Sequence, residues 1–331
     1  MQNPIELLNA HINKACDIPM AINPTSVATA ESCRSIGVNF RDVHTNADKM
    51  AALAAVGHDT LGFQSVMPYF SVIQEAAAFG ATINWGADDE MPTHRKGIYE
   101  DPSEFKMPAD LLDRTPMKTV IDAIRMLKQR YGDSVIVIGK VMGPWTLSYH
   151  LRGVEDFLVE AITEPSTAAE FLNNFKQITM AFAAAQFEAG ADIITLADHA
   201  TGDLVSPDTY RDLLLPVHKE ITGAFPDNDF ILHCCGNTVD RIKHFSQAGF
   251  KIFHFDSKND IDNAIAEAGD MLLSGCVNNP DVLLNGTEQD VDNQVRNILS
   301  HGIKLISPEC AVPLRVKNAN LKRITENVLG V

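Results

Sequence analysis

The pattern most able to do chemistry in this 331-residue chain is His233-x-Cys235. Alternate side chains of a strand point the same way, so an extended backbone puts His233 and Cys235 on one face and Cys234 on the other. An imidazole and a thiolate on one face are zinc ligands, and Cys310, far along the chain, can supply a second sulfur. Asp256 either completes a tetrahedron or leaves that position open to substrate. Two sulfurs and one imidazole with a fourth position open form a catalytic zinc site, whereas structural sites close all four positions. Taken by itself, an H-x-C pair is more often packing or chance than a metal site.

Further polar and sulfur residues recur at the ends of short apolar runs. The run 135–142 holds Lys140 and leads to Gly143-Pro144-Trp145, and 192–197 leads to Asp198 and His199. The run 230–234 leads past the H-x-C pair to Asn237, and 252–255 carries His254 just before Asp256. The run 271–277 leads through Cys276 to Asn278 and Asn279, and 304–307 to Glu309 and Cys310. Lys140 reads as a cation for a substrate carboxylate or sulfonate, as a proton donor to a leaving group, or as the ion-pair partner of Asp198 or another buried carboxylate. Asp198 and His199 either orient substrate and support the ligands from behind or hydrogen-bond the rim. Asn237 and Asn278 have the same two readings. Met67, Tyr69 and Trp145 line a pocket or fill core. His254 shares a face with Asp256 but reads as a core histidine. His11, His218, His244 and His301 fall on helical patterns with no chemical role.

The elements that must position these residues are strands and crossover helices. Eight runs, 19–23, 60–63, 135–142, 192–197, 230–234, 252–255, 271–277 and 304–307, are too short for helices and mostly rich in Val, Ile, Leu and Phe. Between them lie amphipathic stretches at 156–164, 165–189 with Ser166 as a cap, 206–225 opening on Ser206-Pro207, 238–248 and 290–301. The glycines Gly249 and Gly302 stop the last two. Strand–helix alternation means parallel strands, and eight of them predict an α/β fold, a (β/α)8 TIM barrel, over one domain spanning 1–331. Residues 79–116 fit no strand–helix unit and carry Gly86, Pro92, Gly97, Pro102 and Pro108. They are expected to form an insertion over the barrel mouth. The far ends of barrel strands surround one cavity, so the residues named above converge there.

Composition narrows the partners. Lys plus Arg number 27 against 43 Asp plus Glu, a formal charge of −16, which disfavours nucleic acid because phosphate binding needs a basic surface. No apolar run approaches the roughly 20 residues that span a bilayer. Residues 1–16 read as an amphipathic helix rather than a secretory leader. The six cysteines are scattered apart from Cys234 and Cys235, so reduced thiols and a cytoplasmic location are expected.

Several segments resemble a known family. Leu232-His-Cys-Cys-Gly-Asn237, Ile306-Ser-Pro-Glu-Cys-Ala311, and Leu196-Ala-Asp-His199 with Val205-Ser-Pro-Asp208 are similar to corrinoid-dependent methyltransferases. These are the methylcobamide:coenzyme M methyltransferases and their chloromethane-metabolising relatives, within the uroporphyrinogen decarboxylase superfamily. Lys49-Met-Ala-Ala52 with Gly57-His58, and Gly143-Pro-Trp-Thr-Leu147, extend the resemblance over about residues 5–325. It implies a (β/α)8 barrel with Zn2+ held by His233, Cys235 and Cys310. A carboxylate from the next strand is implied as a ligand when no thiol is bound. That position is Asp256 here, where the relatives carry Glu.

The implied substrate is a thiol acceptor such as coenzyme M, methylated by a corrinoid (cobalamin) on a separate partner protein, since the chain has no Asp-x-His-x-x-Gly sequence. The reverse direction, demethylation of an O-, N- or S-methyl compound, is the alternative. The coenzyme M enzymes have no lysine at position 140, and Cys234 stands where they carry an apolar residue, which suits a packed, inert thiol. The decarboxylase branch binds porphyrinogen carboxylates through amino-terminal arginines. Residues 20–26 contain none, which disfavours tetrapyrrole decarboxylation. A non-catalytic barrel is the third reading, and the acidic surface could dock the corrinoid protein.

Overall fold

The apolar runs become eight parallel strands. In the computed structural model, which describes residues 2–94 and 96–330, these are β1 (Met20–Ala21), β2 (Ser65–Val66), β3 (Ile136–Met142), β4 (Ile193–Ala197), β5 (Phe230–Cys234), β6 (Ile252–Phe255), β7 (Leu272–Val277) and β8 (Leu305–Pro308). They pair in the order β1-β8-β7-β6-β5-β4-β3-β2, every pair parallel. β1 and β2 share no ladder, and hydrogen bonds close that seam instead. Gln64 donates its backbone N–H to the Ala21 carbonyl at 2.8 Å, and Asn23 donates its own to Ser65 Oγ at 2.8 Å. The expected TIM barrel is present and nearly closed.

Seven strands lie where the apolar runs predict them; β2 does not. Residues 60–63 end a helix instead. The helix Ala47–Asp59 runs up to Thr60, and Gly62 then turns the chain with φ +83°, a region that glycine alone enters cheaply. A Cβ on Gly62 would also come within 2.9 Å of Thr325 Oγ1. Leu61 and Phe63 are buried all the same, which is why the run mimics a strand.

Two helix expectations also change. The long helix is Pro165–Glu188, and Glu164 rather than Ser166 takes the cap position, with no side-chain bond. Proline at the first helical position has no N–H for a cap to satisfy. The single helix expected over 206–225 starts correctly, with Ser206 Oγ accepting from the Thr209 N–H at 3.0 Å. It then breaks into Pro207–Thr209, a π-helical turn Tyr210–Leu214, and Leu215–Gly223. Pro216 lacks the N–H that an unbroken ladder requires there. Two more π turns, Tyr149–Gly153 and Asn279–Leu284, follow β3 and β7.

The barrel interior is unusually polar: Lys140, Thr195, His233, His254, Ser274 and Ser307 are all buried. Gly139 shows which side is which. A Cβ there would lie 2.7 Å from Gln186 Oε1 and 2.9 Å from Ile194 Cγ1, on the helix-packed wall, so Lys140 points inward. Residues 79–116 hold a hairpin (Ile83–Asn84 with Thr93–His94) and two 3-10 turns, Pro102–Glu104 and Leu111–Asp113. The segment leans on the connection after β3, where the N–H groups of Ile98 and Tyr99 both donate to the Leu151 carbonyl at 2.7 and 2.9 Å. No helix among the described residues is long and apolar enough to cross a membrane.

Candidate metal centre

His233, at the end of β5, and Cys235, just beyond it, share a face as alternation requires. Cys310, two residues past β8, meets them. Cys235 Sγ lies 3.1 Å from His233 Nε2 and 3.0 Å from Cys310 Sγ, and Cys310 Sγ lies 3.4 Å from His233 Nε2. His233 Nδ1 donates to the His254 carbonyl at 3.2 Å, which leaves Nε2 facing the sulfurs. A zinc-bound histidine normally spends its other nitrogen in this way, and a triangle of two sulfurs and one imidazole suits Zn2+. The donor set therefore fits the metal. Hydrogen bonding between the two sulfurs lowers the pKa of Cys310 and raises that of Cys235. Cys234 turns away into apolar packing, and burial pushes its thiol well up, as an inert cysteine should behave.

His199 approaches two members of this triangle. Its ligand nitrogen, His233 and Cys235 lie within 4.8 Å of one another, and burial lowers its pKa to about 4, so its imidazole is neutral. Asp256 is engaged elsewhere: Oδ2 accepts from the Gly236 N–H and Oδ1 from the Lys258 N–H, both at 2.9 Å. Through Gly236 it fixes the turn that carries Cys235.

Asp256 is one of several buried carboxylates that tie one strand end to its neighbour. Glu309 accepts from the Asn279 N–H at 2.7 Å and the Ser257 N–H at 3.0 Å, pinning the residue before Cys310 to the ends of β6 and β7. Asp198 accepts from the N–H groups of Trp145 and Thr146 and from His218 Nε2 at 3.0 Å. Asp198 is thus not the partner of Lys140. Its carboxylate presses so close to Gly143 that a Cβ there would meet Asp198 Cγ at 2.2 Å. His218, expected to carry no role, holds this carboxylate and is itself held by the Tyr210 hydroxyl at 2.9 Å. The helical pattern around His218 gave no hint of this.

Lys140 lies one inward layer below His233. It pairs with Thr195 in the ladder, and Ala197, two residues on, pairs with His233. Its Nζ donates to the Ser71 carbonyl at 3.0 Å and sits 4.8 Å from the centre of the Tyr69 ring. Tyr69 donates its hydroxyl to Glu75, whose other oxygen accepts from the Met142 N–H at 2.9 Å. Burial raises the pKa of Glu75 and lowers that of Lys140 to about 8. Sequence reasoning missed Glu75; a carboxylate inside the apolar stretch 70–79 was the available signal.

The remaining candidates lie further out or deeper in. Asn237 is exposed at the rim, and its carbonyl receives the Gly202 N–H. Asn278 caps the π turn after β7, accepting from the Asp281 N–H at 2.6 Å, and donates to Ser257 Oγ. Trp145 is 1% exposed, and its indole N–H is spent on the Tyr149 hydroxyl at 2.6 Å. His254 is a core histidine whose Nε2 donates to the Pro308 carbonyl. Beside Tyr149, whose hydroxyl donates to the His199 carbonyl at 3.4 Å, lies a cavity of about 620 Å³ lined by His94, Lys96, His150 and Arg152.

Comparison with known proteins agrees with this architecture. The chain is 29% identical to a methylcobamide:CoM methyltransferase, MtbA, of Methanosarcina acetivorans, over 91% of this chain and 90% of that protein. It is 29% identical to MtaA, a methylcobamide:CoM methyltransferase of Methanosarcina barkeri, over 96% and 95%. A solved methyltransferase from Methanosarcina mazei superposes with a TM-score of 0.95 at 25% identity, covering 100% of this chain and 99% of that one. Residues 6–330 match the profile described as Uroporphyrinogen decarboxylase (URO-D). With that match spanning nearly the whole barrel, the chain belongs to the uroporphyrinogen decarboxylase family.

Proposed function

We propose that this protein is a zinc-dependent methyltransferase that passes a methyl group from a methylated corrinoid, carried by a separate protein, to a thiol acceptor such as coenzyme M. The observation that carries the reading is the convergence of His233, Cys235 and Cys310 within 3.4 Å of one another at the strand ends. Its similarity to methylcobamide:CoM methyltransferases along almost all of its length supports the same reading. The bound metal would supply one thing: it would keep an acceptor sulfur ionised at neutral pH, where a free thiol with pKa near 8.5 is only a few per cent thiolate.

The protein's own residues do the rest. His233, Cys235 and Cys310 would hold the ion, and Asp256 and Glu309 fix the turns that bear the two sulfurs. Asp256 stands at the position the resemblance implies for a fourth ligand, and His199 lies within 4.8 Å of His233 and Cys235. Asn237, at the rim, would meet the corrinoid, and the insertion 79–116 would cover the mouth. In the transfer, a sulfur lone pair forms the new C–S bond. The Co–C bond breaks with both electrons left on cobalt, so methyl-Co(III) becomes Co(I) and the thiolate becomes a thioether. Holding the two reactants in line contributes several kcal/mol by proximity alone. The six cysteines are all free, as a reducing, cytoplasmic setting would keep them.

The test is incubation of the purified protein with methylcobalamin and a panel of thiols and methylated compounds, read by cobalt absorbance. Loss of methyl-Co(III) with thiols alone, together with about one zinc per chain, supports the reading. Methylation of Co(I) by an ether or amine, with no reaction of thiols, reverses the direction. Full activity without metal rejects the zinc role.

A further inference from the structure

The cavity of about 620 Å³ beside Tyr149 lies between the insertion and the turn after β3, and each side contributes a histidine. His94 stands on the second strand of the insertion's hairpin, opposite Ile83, and His150 in the π turn Tyr149–Gly153. Their ring centres are 6.2 Å apart, with planes at 69°. The two backbones are fixed against one another close by. Ile98 and Tyr99 both donate to the Leu151 carbonyl, and a Cβ on Gly97 would meet the Arg152 carbonyl oxygen at 2.3 Å.

Each ring carries a nitrogen with nothing to bind. His94 Nε2 and His150 Nδ1 are buried and have no hydrogen-bond partner among the described residues. Buried polar atoms are nearly always satisfied, so two such nitrogens on neighbouring rings point to a shared partner. Burial lowers the pKa of both histidines, that of His150 to about 3, so both are neutral, the form that binds metal. Two imidazoles on one zinc ion, with bonds of about 2.0–2.1 Å, hold their ring centres roughly 5–6 Å apart. The observed spacing lies at the edge of that range. The cavity wall also favours a cation. Its carboxylates, Glu100, Glu155 and Asp156, outnumber Lys96 and Arg152, and Arg152 is already bonded to Glu160 and Asp156. Glu100 and Glu155 are exposed, so they or water can fill the remaining positions.

We propose that His94 and His150 are the fixed ligands of a second site for a divalent transition metal ion such as Zn2+, and that the bound ion clasps the insertion 79–116 to the turn after β3. The site stands apart from the strand-end centre and does not depend on it. Having no thiolate, it binds zinc more weakly than two sulfurs and an imidazole do. It therefore empties on dialysis against a chelator and refills when metal is added.

The full-length Cys310→Ala chain, which cannot complete the strand-end centre, isolates the new site. After dialysis against a chelator it should take up one equivalent of Co2+, with visible d–d bands and no sulfur-to-cobalt charge-transfer band. Adding His94→Gln, on the insertion, or His150→Gln, on the barrel, should abolish that uptake, and loss from either side separately excludes misfolding of one segment as the cause. In the otherwise native chain, added Zn2+ should slow tryptic cleavage after Lys96, and should not do so in His150→Gln. Failure of Cys310→Ala to bind Co2+ overturns the site. So does an equivalent that persists with both histidines replaced, because it would then belong to others of the 11 histidines. Cleavage after Lys96 at the same rate with and without Zn2+ overturns the clasp. None of these outcomes bears on whether His233, Cys235 and Cys310 hold a metal of their own.

Discussion

The barrel has two unlike halves. From β3 through β8 the strands pair by ladders, five residue pairs between β3 and β4 and four each between β4 and β5 and between β5 and β6. The β1–β2 seam has two-residue strands and no ladder, and is joined through Gln64, Asn23 and Ser65. All three ligands proposed for the strand-end centre belong to the first half. A register built from many parallel hydrogen bonds places a strand end to within tenths of an ångström, which ligands from distant strands require. Buried carboxylates then tie each end to the next. The seam carries no proposed ligand and can close by side chains.

Substitutions can break or sharpen that contrast. Cys310→Ala, on the laddered side, should remove the metal and reduce methyl transfer to background, as shown by metal analysis and methylcobalamin turnover. Glu309→Gln replaces an acceptor of two amides with a group that is partly a donor. Metal affinity should fall about 10- to 100-fold, the usual cost of disturbing the support of a ligand, as read by competition with a chelator. Ser65→Ala, at the seam, should lower stability by about 1–3 kcal/mol in urea unfolding and leave metal content unchanged. A seam variant that lost metal would erase the distinction between the halves.

A last effect is in pH. Burial lowers the pKa of Lys140 to about 8 from 10.5, so between those values the native state binds fewer protons than the unfolded state. The burden of the buried charge is complete below pH 8 and is relieved as pH rises toward 10.5. Stability of the metal-free protein should therefore climb across that window, and Lys140→Met should flatten the climb.

Much of this was legible in the sequence because it obeys a short-range rule. The two-residue period put His233 and Cys235 together and turned Cys234 away, and apolar runs marked β3 to β8. The pairing of Cys310 with them came through resemblance, since nothing local joins residues 75 positions apart. β2 was misplaced because Leu61 and Phe63 are buried in a turn as deeply as strand residues. Asp198, Asp256 and Glu309 were visible as polar strand ends, but their use as ties depends on amides of other segments. His218 and Glu75 sit in helical stretches, where local pattern says nothing of a partner brought in by the barrel's closure.

The three π turns each donate one group to this arrangement. Tyr149 reaches the His199 carbonyl, Tyr210 holds His218 and through it Asp198, and Asn279 donates to the Cys310 carbonyl at 3.2 Å. Such a turn amounts to a single extra residue absorbed by a helix. Deleting or adding one residue there would swing these side chains by most of a third of a revolution and leave every strand in step. The fold thus keeps its adjustable joints where the chemistry is, and its descendants could retune the mouth in single-residue increments.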